Sequence, residues 1–194
     1  SLLIEGSYGD PARPVTKEKL AEMTRAWGSQ AYPSVSVSKE VTVFSLKVPQ
    51  EAARAYLGKV LAPLLTRPLF DAKELDRLRG EALQGLRSGL RLEELETLGL
   101  VALDNYIHEG TAYAHPDGGT EKGLSASTRQ AVLRFYKTYY TSDNMVVGLS
   151  VLDPALSGAL QAALAPLGQE AQNESFAKTL PAAPAPVTGR QLLI

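Results

Sequence analysis

The sequence predicts an α+β fold, an antiparallel sheet with helices packed on one face, and three observations predict it. A period of two runs through residues 34–45, three helical periodicities follow between residues 50 and 107, and a helix, a strand and a helix complete the pattern. With 194 residues and 44% hydrophobic content, the chain can bury one substantial core and little beyond one domain.

The first element, within "SLLIEGS", starts in the middle of an apolar run. The next, "ARPVTKEKLAEMTRAWG", reads as a helix that Thr16 caps and Gly28 closes, with Leu20, Met23, Thr24 and Trp27 at helical spacing. Val35 and Val37, then Val41, Val43 and Ser45, alternate around a Ser-Lys-Glu turn, which predicts an antiparallel strand pair. Pro49 suits a first helical turn. From Gln50 to Thr66 the apolar stripe is Ala53, Tyr56, Leu57, Val60, Leu61, Leu64 and Leu65.

A second helix starts at Asp71, with Glu74 at the capping-box position and Leu75, Leu78, Ala82, Leu83, Leu86 and Leu90 as its apolar face. It is expected to share a core with the helix before it. A third spans Glu93 to Ile107 and carries Leu95, Leu98, Ala102 and Tyr106. After a Gly- and Pro-broken loop, Ser127 followed by Gln130 predicts a helix start ahead of Val132, Phe135, Tyr136 and Tyr139. "NMVVGLSVL" reads as a strand, and Asp153 with Pro154 as the start of the last helix. Residues 169–189 turn polar and then Pro/Ala-rich, a linker composition, and residues 190–194, "RQLLI", read as the first strand of a following domain. Both ends look cut, so the chain is expected to be a piece of a longer protein.

Charge and composition exclude several functions. Twenty basic and twenty-one acidic residues leave a net charge of −1 with no basic block, so nucleic acid is a poor partner. No apolar run is long enough for a membrane span, and the chain reads as soluble. The absence of cysteine removes disulfides, thiolate zinc sites and cysteine nucleophiles. It leaves the compartment open, and secretion or a bacterial periplasm is compatible with it.

The only histidines, His108 and His115, lie seven residues apart around Gly110, in a segment that continues through Pro116, Gly118 and Gly119. A zinc site needs three or four converging donors on a rigid frame, so local hydrogen bonding is the better reading of this pair. His108, at a helix end, sits where a protonated imidazole offsets the dipole. Glu93, Glu94 and Glu96 at a helix start do the same for the opposite pole. Tyr136, Tyr139 and Tyr140 form an aromatic stripe expected in the core. Neither "GSYGD" nor "GGTEKG" has phosphate-cradling spacing, and no serine sits in a Gly-x-Ser-x-Gly elbow.

Taken together, "HPDGGTEKGLSASTRQAVLRFYKTYYTSDNMVVGLSV", "EGSYGDPARP", "EVTVFSLKVPQE" and "RPLFDAKELDRLRGEAL" resemble, in order and spacing, the insulinase- and pitrilysin-type zinc peptidases. His115, Pro116, Gly118, Gly119, Thr120, Phe135, Tyr136, Tyr140, Asn144 and Met145 fall in register with the family's loop, helix and strand. The resemblance implies that residues 1–168 form a domain like that of the mitochondrial processing peptidases, with its N-terminal strands missing. Such domains occur twice per polypeptide, or as paired subunits, closing around an extended peptide.

What the resemblance implies for zinc is different. Active members carry His-x-x-Glu-His on one helix and a glutamate on a later one. The second histidine falls on Ser1, and the glutamate, eight residues beyond the arginine matching Arg77, falls on Gly85. Glu81 could replace it only in another register. His115, Pro116, Gly119 and Thr120 then mark the family loop without a part in hydrolysis, and no catalytic residue or cofactor is expected in this chain. The leading expectation is a non-catalytic domain forming one wall of a peptide-enclosing chamber. A fragment of an active zinc endopeptidase whose motif precedes residue 1, and a purely structural partner subunit, stand as alternatives.

Overall fold

The computed structural model describes residues 2–88, 95–111, 113–151 and 153–168; the linker 169–189 and the strand start 190–194 lie outside them, as do Leu90, Glu93 and Glu94. The architecture is α+β, with two separate antiparallel hairpins in place of one sheet among the described residues.

The apolar start of the chain is a short helix, α1 (Leu2–Glu5), followed by a hairpin that the sequence pattern does not announce, β1 (Tyr8–Asp10) and β2 (Arg13–Val15). With three residues per strand and no apolar alternation, its closure depends on local turn chemistry: the Asp10 carboxylate accepts from the Ala12 amide at 2.9 Å and Gly9 takes φ +93°. Gly9 N–H also donates to the Arg67 carbonyl at 2.9 Å, which ties this hairpin to the end of a later helix.

Thr16 caps α2 (Lys17–Arg25) by accepting from the Lys19 amide, as predicted. The helix stops at Arg25, short of Gly28, whose φ of +108° turns the chain away. Trp27 therefore lies beyond the helix, edge-on to Tyr56 with ring centroids 5.3 Å apart. Strands β3 (Ser34–Val37) and β4 (Thr42–Ser45) form the predicted pair, with Val35 opposite Phe44 and both packed on the core.

The stripe from Gln50 to Thr66 is one helical run with a change of pitch. A 3₁₀ turn (Gln50–Ala52) leads into α3 (Ala53–Tyr56), a π turn (Leu57–Leu61) and α4 (Ala62–Thr66), with Pro49 just outside as the cap. Pro63 has no N–H to give and its ring crowds the turn before it. The ladder accordingly widens there, the Ala62 amide reaching back to the Leu57 carbonyl. Tyr56, Val60 and Leu64 are buried with Ile4, Tyr8, Leu20 and Ala31 as the main core, and the Tyr56 hydroxyl donates to the Ala31 carbonyl at 2.6 Å.

Phe70, buried at φ +48°, turns the chain toward α5 (Ala72–Ser88). Arg129 holds that turn, donating from Nε to the Phe70 carbonyl at 2.7 Å and from Nη2 to the Leu69 carbonyl at 3.0 Å. Asp71 caps α5 by accepting from the Lys73 amide at 2.7 Å, whereas Glu74 spends its carboxylate on Arg77. The expectation that α5 shares a core with the preceding helix is corrected: α5 packs on α1 and on α7 (Glu121–Ala126), and none of its residues is buried. Its leucines are only half covered.

α6 (Leu95–Ile107) follows the third predicted helix, and α7 is a six-residue turn of helix too short to show a period, capped by Thr120. Helix α8 (Arg129–Tyr139) is capped by Thr128, not by the expected Ser127. Ser127 instead ends α7, its hydroxyl donating to the Gly123 carbonyl at 3.0 Å. The cap is a Thr side chain that accepts from the Ala131 amide at 3.2 Å, and the Ser127–Gln130 spacing was coincidental.

No strand forms over Met145–Val151, a second correction: no backbone neighbour pairs with it among the described residues, and Val146 stands 98% exposed. Asp153 caps α9 (Pro154–Leu164) as predicted, accepting from the Ala155 and Leu156 amides at 2.9 and 3.0 Å. A second, smaller core joins Leu65, Leu164 and Leu167, flanked by Tyr136 and Met145. Of the tyrosine stripe, Tyr136 packs here and its hydroxyl donates to the Leu65 carbonyl at 2.6 Å, while Tyr139 remains 42% exposed. Among the described residues no helix is long and apolar enough to cross a membrane.

Candidate functional site

The richest cluster of charge lies where α1, α2 and α5 meet. Lys17 Nζ donates to Glu5 Oε2 at 2.5 Å, and Arg77 Nη2 lies 3.5 Å from the same oxygen. Arg77 also donates from Nε to Glu74 at 2.9 Å and from Nη1 to Glu81 at 2.7 Å, so one guanidinium joins three carboxylates. The hydrogen bond from Lys17 lowers the Glu5 pKa, and the same bond raises that of Lys17. Glu74 and then Glu81 raise the pKa of Arg77 further. Tyr8 is buried beside this cluster, and burial pushes its phenol up to about 12. Its hydroxyl and that of Tyr32 are both buried without a hydrogen-bond partner.

Of the two ligand positions that the family resemblance implies, one lies among the described residues. Ser1 is outside the described residues. Gly85 lies on α5, and a Cβ built on it would meet nothing within 4 Å. Crowding therefore does not exclude a side chain there, and glycine offers no donor. Glu81, one turn earlier, is engaged by Arg77. Among the described residues, no three His, Cys, Asp or Glu side chains converge to hold a metal.

The histidine loop is organised by its own backbone. His108 Nδ1 lies 2.9 Å from the Asp104 carbonyl and 3.2 Å from Asp104 Oδ1, one helical turn back. His115 Nδ1 meets the carbonyl of Pro116 at 3.2 Å. The Gly119 amide closes a turn on the Pro116 carbonyl at 2.9 Å with φ +81°, which delivers Thr120 to cap α7. The residues singled out in the loop, His115, Pro116, Gly119 and Thr120, are thus brought together as a turn and a cap.

A further polar junction has no counterpart in the sequence reading. Lys39 and Glu40, at the tip of the β3–β4 hairpin, reach Asp104 on α6 and Tyr113 in the loop. The contacts span 65 to 74 residues, and no spacing rule signals them.

No protein-family model matches the sequence, and no curated protein matches it. Solved structures do. A protease from Helicobacter pylori aligns with a TM-score of 0.67 and 15% identity, over 95% of this chain and 41% of that one. The ferredoxin protease FusC, a variant of which was solved with Arabidopsis ferredoxin, gives 0.62 and 18%, over 84% and 18% of the two chains. Pitrilysin gives 0.56 and 21%, over 87% and 18%. The fold is shared with these peptidases. The chain spans less than half the length of each.

Proposed function

We propose that this chain is a domain of an insulinase- and pitrilysin-like peptidase that carries no metal set of its own and forms one wall of a peptide-enclosing chamber. It works beside a second peptidase-like domain or a homologous catalytic subunit. The domain runs over residues 1–168, with 169–189 as linker and 190–194 opening the next unit.

Gly85 carries this reading. The sequence resemblance puts the family's ligand glutamate at Gly85, which offers no donor, and the fold likeness over 95% of the chain supports the resemblance. Zinc in this setting takes three or four donors, and loss of one leaves too few to hold it tightly. The described residues near Gly85 do not fit the ion, because Glu81, the carboxylate one turn before it, is already bound to the Arg77 guanidinium. The peptide-lining role is supported by the β3–β4 hairpin, a two-stranded sheet whose outer edges offer backbone groups for strand addition.

Zinc titration of the purified chain, read by calorimetry and by elemental analysis after gel filtration, tests the proposal. Well under one ion per chain is expected. Tight one-to-one zinc would overturn it and favour an active endopeptidase whose His-x-x-Glu-His motif precedes residue 1. Titration of the assembled protein with an extended peptide is expected to give saturable binding. No association would leave a structural partner subunit as the function.

A further inference from the structure

The tip of the β3–β4 hairpin is tied down by hydrogen bonds and an ion pair. The turn is closed internally, with the Ser38 amide donating to the Val41 carbonyl at 2.9 Å and the Ser38 hydroxyl accepting from the Val41 amide at 3.2 Å. That leaves two adjacent charged side chains, Lys39 and Glu40, free to reach outward, and both reach the same residue. Lys39 Nζ donates to the Tyr113 carbonyl at 3.0 Å and to Asp104 Oδ2 at 2.5 Å, while the Tyr113 hydroxyl donates to Glu40 Oε1 at 2.6 Å. Tyr113 is gripped at both ends. Asp104 also has His108 Nδ1 at 3.2 Å from its second oxygen, and the Tyr113 and His108 rings lie 5.9 Å apart. The apolar side chains around this junction do not seal it, since Val37, Val41 and Ile107 are 58%, 57% and 56% exposed.

We propose that Lys39, Glu40, Asp104 and Tyr113 form a releasable clasp that couples the β3–β4 hairpin to the loop after α6, so that opening either end loosens the other. The physical basis is the small net value of partly exposed ion pairs: a junction made only of these opens far more readily than the core beneath it. The Lys39 side chain is 18% accessible against 44% for its partner Asp104, and it serves two acceptors, which makes it a central tie. By thermodynamic reciprocity, a ligand that engages the released hairpin and one that engages the released loop favour each other by the same factor.

Hydrogen exchange on the full chain tests it, with Lys39→Met and Tyr113→Phe as single and combined variants. Each single change should speed exchange of the amides of residues 35–43 and 108–115 together, by about tenfold, while amides around Tyr56 keep their protection. The double variant should fall short of the product of the two effects, because the same clasp is opened once. Lys39→Arg should restore protection, and Glu40→Gln, which keeps size and polarity, gives a milder version of the Tyr113→Phe effect. Unchanged exchange in both single variants, acceleration confined to the mutated side, or fully multiplying effects would each overturn the proposal.

Discussion

Two regions of this molecule carry similar apolar patterns and reach different depths of burial. From Leu3 to Phe70 there are twelve buried hydrophobic side chains, five of them on the π turn and α4 alone, counting Leu57, Val60, Ala62, Leu64 and Leu65. Between residues 71 and 140 no described residue is buried, although α5 and α8 have amphipathic faces as regular as any in the first region. The difference teaches that periodicity reports which face of a helix is sticky, and says nothing about how many layers will cover it. In the first region, α1, α2, the hairpins and the 50–66 helix close on each other. In the second, α5 packs against short partners, α1 and α7.

The strongest way to break this comparison is to delete matched leucines. Leu64→Ala, at a side chain with 0% exposure, should cost ~2–5 kcal/mol by chemical denaturation, and half-buried Leu83→Ala on α5 under about 1.5 kcal/mol. Equal losses would show that the two regions are packed alike. Next in size is Tyr56→Phe, which leaves the Ala31 carbonyl without its 2.6 Å donor in the main core and should cost ~1–3 kcal/mol. The same measurement checks it.

A smaller effect sharpens the boundary between the regions. Thr128→Ala should destabilise by about 1 kcal/mol through loss of the α8 cap, and Ser127→Ala by a few tenths, read from the shift in urea midpoint. The reverse order would restore Ser127 as the cap.

The smallest effect is a pH dependence at the junction of the two regions. Glu5 has its folded pKa below the unfolded value because Lys17 donates to it. Its contribution is therefore full above the unfolded carboxylate range and disappears as pH falls through the folded pKa. A comparison of urea midpoints for the unaltered chain and Glu5→Gln should show a gap near neutrality that closes on acidification. A gap of constant size across that range would exclude the ion pair as its source.

Caps were legible where one local rule acts. Thr16, Asp71 and Asp153 all cap where their side chains and the following apolar period place them. Ser127 failed because Thr128, its neighbour, satisfies the same rule, and local chemistry cannot rank two adjacent hydroxyls. The β1–β2 hairpin and α7 escaped because three and six residues are too few to establish a period. Of the candidate site, the local hydrogen bonding of the histidine loop could be read from the sequence, whereas the Glu5–Lys17–Arg77 junction and the Lys39–Asp104–Tyr113 contacts join segments too far apart for any spacing to reveal.

The sequence by itself determined the longer helical segments and the β3–β4 pairing, because each depends on side chains within a few residues of one another. Only the tertiary structure decided that the first region holds the deep core, that Met145–Val151 stays unpaired among the described residues, and which carboxylate each cation takes. Those outcomes depend on surfaces meeting across the chain, and burial and charge pairing are properties of the meeting.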